Sequence, residues 1–123
     1  MSMDLRLVLT TEADQIKADA LAEQLIIRRL AACITWMPVQ SCYRWQGKIE
    51  RAQEVQLLIK TSSDRLEELL SALQALHSYD TPEILQLTAQ AGAAYAVWAL
   101  GALSPDAASS ALEERPGNEH QAG

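Results

Sequence analysis

The sequence predicts an α+β fold, a ferredoxin-like βαββαβ sandwich with an extended hairpin between its second and third strands and a further helix at the C-terminus. Three observations carry this. Alternating or continuously apolar stretches of strand character occur four times. Two stretches with apolar residues at helical spacing separate them in the order β-α-β-β-α-β. A short turn dipeptide, Gln46-Gly47, joins the second strand to the third.

The first strand is LRLVLTT, where Leu5, Leu7 and Leu9 alternate with Arg6, Val8 and Thr10 and give one clearly apolar face. Thr11 stands three residues before Asp14 in a capping-box-like start, so a helix is expected over 13–30 with Ala18, Leu21, Ala22 and Leu25 as its stripe. Residues 31–43, AACITWMPVQSCY, hold no charge and are rich in β-branched and aromatic residues, which marks a strand. Pro38 cannot donate to a ladder and implies an edge or a bulge. The return strand is KIERAQEVQLLIKT, with Val55, Leu57 and Ile59 on one side and Glu54, Gln56, Leu58 and Lys60 on the other. Ser63 is the expected cap of a second helix over 64–77, where Leu66, Leu69, Leu70, Leu73 and Leu76 keep helical period. HSYDTPEI (77–84) turns into a fourth strand, PEILQLT, which Gly92 ends, and AAYAVWALGAL forms a short apolar third helix. Residues 1–103 make one domain; the tail, 104–123, has the Ser, Ala, Pro, Gly and charge content of a mostly disordered segment.

Composition narrows the function classes. With 49% hydrophobic residues the chain can bury a core, and that core is aliphatic because there is no Phe and only three Trp and three Tyr. A net charge of −6 disfavours nucleic acid, which needs a basic stripe. No apolar run is long enough to span a bilayer, and Asp4 and Arg6 break any secretory signal, so a cytoplasmic location is expected. Cys33 and Cys42 form no CxxC pair. No nucleophile elbow, P-loop, HExxH or dinucleotide fingerprint occurs, and the loop after the first strand, TTEAD, is acidic and lacks the Gly of an anion cradle; an enzyme is not expected.

Two features do not fit a monomer. Each hairpin arm is around a dozen residues or more, against about 5–6 for a usual strand. Trp36, Tyr43 and Trp45 crowd the first arm, and an uncharged aromatic arm left in water is an aggregation hazard. The apolar third helix also needs a second surface. Trp36, Tyr43, Trp45, Tyr95 and Trp98 are therefore expected at subunit interfaces.

In order and spacing, VLTTEAD, LAAC (30–33), SCYRWQGKIE (41–50), EVQLLIKT (54–61), HSYDTPEI (77–84), Tyr95 and Trp98 resemble the CutA family of divalent-cation tolerance proteins. The resemblance covers roughly 5–100. It implies a homotrimer in which long hairpins exchange strand pairing, and weak binding of copper(II) or another divalent ion. It also implies a likeness to PII signalling trimers with small-molecule ligands in their clefts. The sequence departs from the family at Thr35, where Asn is usual, and at Ser78, where Pro is usual and whose loss should loosen the turn slightly.

On this basis Cys33, His77 and Glu83 are the candidate metal ligands: a thiolate favours soft or borderline ions, and imidazole and carboxylate also ligate divalent metals. Each has a plainer alternative: a small buried residue at a strand start, a helix C-terminal cap and an ion pair, respectively. Glu54, Lys60 and Tyr79 are the candidate cleft-lining residues, with a small metabolite or a protein partner as the alternative ligand. A straight strand would place Cys33 and Cys42, nine positions apart, about 30 Å from each other, on opposite faces if no bulge intervenes, so they can share an ion only if the chain bends sharply near Pro38 or if they come from different subunits.

Overall fold

The computed structural model describes residues 2–104. In chain order the elements are β1 (Ser2–Glu12), α1 (Gln15–Ile27), β2 (Cys33–Trp45), β3 (Lys48–Thr61), α2 (Ser63–Leu76), β4 (Ile84–Gly92) and α3 (Ala93–Leu103). One antiparallel sheet has the order β2-β3-β1-β4, the ferredoxin-like arrangement expected from the sequence. Of the tail, residues 105–123 lie outside the described residues. No helix among those described is long and apolar enough to cross a membrane.

The core lies between the sheet and α1 with α2. Val8, Leu57 and Ile59 meet Leu21, Leu25, Leu69 and Leu73, all buried. The α1 stripe is Ala18, Leu21, Ala22 and Leu25, as its spacing predicts. The first strand differs from its sequence pattern in which way it faces. Val8 is paired with Ile59 and Thr10 with Leu57, so the even residues of β1 turn toward the helices. Leu7 and Leu9 turn to the opposite face, beside Leu87 and Leu85 of β4, which stay about half exposed (52% and 51%). An outward row of leucines is the surface a partner would cover.

Both helix starts also differ by a residue or more from expectation. Asp14, not Thr11, caps α1 by accepting from the Lys17 N–H at 2.8 Å, because Thr11 is still paired within β1. Ser62, one residue before the expected cap, accepts from the Arg65 N–H at 3.3 Å. His77 follows α2 as its C-cap in extended conformation, its N–H bonded to the Leu73 carbonyl. The end of α1 is a Schellman turn: the Leu30 N–H reaches the Leu25 carbonyl and the Arg29 N–H that of Ile26. Arg29 takes the left-handed position (φ 56) usually given to Gly, and the Arg65 guanidinium holds it by donating to the carbonyls of Arg28 and Arg29.

β2 and β3 pair without a bulge along their whole length, and Gln46 and Gly47 (φ 51 and 78) form the tight turn. Pro38 is accommodated because β2 is an edge strand. On its other side β3 pairs with β1 only up to Val55. Residues 48–54 and their partners in β2 thus project as a two-stranded ribbon, about 23 Å long at the usual rise. α3 packs on β1, β3 and β4 and buries Ala96, Ala99 and Leu103 apart from the two-helix core.

Candidate functional site

The polar chemistry of the fold gathers where the α2–β4 loop crosses the end of β1. Thr10 and Glu12 are consecutive inward positions of β1, and the loop residues His77, Ser78 and Tyr79 fall beside them. The Tyr79 N–H donates to His77 Nδ1 at 3.0 Å, so that nitrogen carries no proton and the ring is the neutral Nε2–H tautomer. Nε2 then donates to Thr10 Oγ1 at 3.1 Å. The Glu12 carboxylate lies 3.6 Å from Nδ1 and accepts from the N–H groups of Ala13 and Ser78, each at 3.1 Å, and from the Ser78 hydroxyl. Glu12 is 1% exposed and Thr10 0%.

Hydroxyl, imidazole and carboxylate in a row resemble a nucleophilic relay, but the roles are reversed. A base for Thr10 would need Nε2 free to accept, and here it donates. The hydroxyl is also sealed from any substrate. The row instead satisfies buried polar groups: among the described residues no buried side-chain nitrogen or oxygen lacks a partner.

Tyr79 continues the network outward. Its hydroxyl donates to Glu54 Oε2 at 2.7 Å, and its ring lies 5.2 Å from that of His77. Burial pushes the Tyr79 phenol well above its ordinary value, and the Glu54 carboxylate pushes it further. The phenol therefore stays a donor. Of the expected cleft residues, the structure brings Glu54 and Tyr79 together and keeps Lys60 apart. Lys60 is six residues from Glu54 on the same face of β3, and its Nζ donates to Thr35 Oγ1 at 2.9 Å and lies 3.9 Å from Cys33 Sγ. An ion pair of Lys60 with Glu54 or Glu83, open from the sequence, is replaced by these contacts.

The expected metal ligands are not brought together in the chain. Cys33 is half-buried at the start of β2 beside Lys60. His77 has both ring nitrogens engaged and a fully buried side chain. Glu83 is exposed just before β4. β2 and β4 are the two edges of the sheet, so Cys33 and Glu83 stand on opposite sides of the molecule. Among the described residues no group of three or more His, Cys, Asp or Glu side chains is placed to hold a metal ion. Cys42 is exposed on the ribbon, on the face opposite to Cys33.

The aromatics divide as well. Trp36 shares the helix face and lines an open hollow of about 500 Å³ with Ile26, Ile27, Ile34, Asp19 and Glu23. Tyr43 and Trp45 belong to the opposite face of the hairpin, and both are about half exposed. Tyr95 and Trp98 meet on α3 with ring centroids 5.6 Å apart. Sequence reasoning missed Thr10, Glu12 and Ser78. The available signal was the alternation itself: Val8, Thr10 and Glu12 share a face, and a carboxylate on an inward face requires donors.

Known proteins share this architecture. The pattern of the family described as CutA1 divalent ion tolerance protein matches residues 6–101. The divalent-cation tolerance protein CutA of Pectobacterium atrosepticum is 42% identical over 97 residues, 77% of this chain and 88% of that protein. CutA from Synechococcus elongatus superposes with a TM-score of 0.82 at 42% identity, covering 85% of this chain and 95% of that one. CutA1 from Pyrococcus horikoshii superposes with a TM-score of 0.77 at 32% identity, covering 79% and 96%. From the match along nearly the whole βαββαβ unit, the chain belongs to the CutA1 divalent ion tolerance protein family.

Proposed function

We propose that the chain is a non-enzymatic divalent-cation tolerance protein that works in the cytoplasm as a ring of three copies. In this reading copper(II), or another divalent ion, binds weakly where the β2 edge of one copy lies beside the β4 edge of the next. The observation that carries it is the placement of Cys33 and Glu83 on opposite sheet edges. Two different edges meeting head to tail form a heterologous contact, and such contacts close into a ring where the rotation between copies closes. Thiolate and carboxylate then complete one site from two subunits, with the thiolate supplying the preference for a soft or borderline ion. The half-exposed Leu85 and Leu87, with Leu7 and Leu9 beside them, supply an apolar face for the ring to bury. His77 serves the fold in this reading, since its nitrogens are already spent on Thr10 and Tyr79.

The alternative is a PII-like signalling or scaffold trimer with a metabolite held at Glu54, Lys60 and Tyr79. It is less well supported because all three side chains are bonded to protein partners. Calorimetric titration with copper(II) tests the proposal. Saturable binding should be lost in Cys33→Ala and in Glu83→Gln. Undiminished binding in both variants would reject these ligands.

A further inference from the structure

Glu12 is the one buried carboxylate among the described residues, and none of the proposed metal chemistry uses it. We propose that Glu12 and Ser78 form a clasp that fastens the α2–β4 loop as a strap, and that the strap sets the position of the β2–β3 ribbon. The clasp has three donors on one carboxylate: the Ala13 N–H, the Ser78 N–H and the Ser78 hydroxyl. Two of them come from a residue 66 positions away, so the bond joins the end of β1 to the loop. A proline at 78 would bring no N–H and no hydroxyl. The serine is therefore matched to the carboxylate beneath it.

The next residue carries the connection outward. The Tyr79 N–H is held by His77, and the Tyr79 hydroxyl grips Glu54 at 2.7 Å. Glu54 has a telling position: pairing of β3 with β1 ends at Val55 opposite Glu12, so Glu54 is the first residue of the free ribbon. A continuous path runs from Glu12 through Ser78 and Tyr79 to the ribbon's root. Beyond that root the ribbon is two strands wide, which alone is marginal in water. In the ring proposed above, neighbouring copies would hold its outer part; within its own subunit its root is gripped by Tyr79 through Glu54. Releasing the clasp should loosen the ribbon without unpacking the helices, whose core lies on other residues.

Amide hydrogen exchange on the whole chain at neutral pH reads this directly. Ser78→Pro removes both loop donors and should speed exchange roughly five- to tenfold at 77–83 and 48–54, while the middle of α1 is unchanged. Ser78→Thr keeps both donors and should leave all three segments as in the wild type. Tyr79→Phe should loosen 48–54 and leave the Ser78 amide slow. Glu12→Gln gives a second break of the clasp should the proline variant fail to fold. Acceleration confined to 77–83 in both clasp variants would refute the link to the ribbon, and no acceleration anywhere would refute the clasp.

Discussion

His77 Nε2 donates to Thr10 Oγ1 across 3.1 Å, joining the end of α2 to the inward face of β1. The neutral ring is used from both sides, since Nδ1 holds the Tyr79 N–H. This makes the histidine a structural bolt. His77→Ala should lower the unfolding free energy by about 2–4 kcal/mol, from two lost hydrogen bonds and a cavity. Urea denaturation measures that loss. Copper(II) titration of the folded variant should match the wild type, whereas lost binding in a folded protein would return His77 to the ligand set.

The Tyr79 phenol titrates above its ordinary value of about 10 when folded. The sign follows from proton binding: above that pH the unfolded chain releases this proton and the folded one retains it. The contribution is fully present below pH about 10 and is lost as pH rises beyond it. Tyr79→Phe should lower stability at neutral pH by about 1 kcal/mol and flatten the fall in stability on the alkaline side. Urea midpoints at neutral and alkaline pH give both results. An equally steep alkaline fall in the variant would count against the phenol as its source.

The leucine face of the sheet makes a separate prediction. Leu87 lies opposite Leu7, about half exposed, and away from the two-helix core. Leu87→Glu should leave the subunit folded and turn a three-copy mass into a one-copy mass in light scattering, because a buried unpaired carboxylate at an interface costs several kcal/mol. A wild-type protein with one-copy mass at micromolar concentration would contradict the ring, and an unaltered three-copy mass in the variant would place the interface elsewhere.

Local rules made most of the elements legible. The α1 stripe and the extent of β3 follow from period, the extent of α3 from its apolar run after Gly92, and Gln46-Gly47 from the positive φ that a two-residue hairpin demands. The direction of β1 was not legible, because Leu5, Leu7 and Leu9 look more core-like than Val8 and Thr10. Only the pairing with β3 settles which row meets the helices. The Schellman turn at Arg29 was hidden because Arg65, 36 residues on, supplies the donors that make a non-glycine tolerable there. The site was legible as a set of reactive residue types and illegible as an arrangement. HSYDTPEI shows its side chains but not that Glu12 waits beneath Ser78 or that Glu54 faces Tyr79. Ser78, which on sequence grounds only loosens a turn, anchors it.

Mixed oligomers show whether one divalent ion is shared between Cys33 of one copy and Glu83 of the next. Cys33→Ala and Glu83→Gln subunits are unfolded, combined in equal amounts, refolded and titrated with copper(II) in the absence of oxygen. Each pure variant should bind none. In a random ring about one interface in four pairs an intact Cys33 with an intact Glu83, so the mixture should recover about a quarter of the wild-type sites. A mixture that stays as empty as its parents, or a pure variant that binds at full stoichiometry, would contradict the shared site.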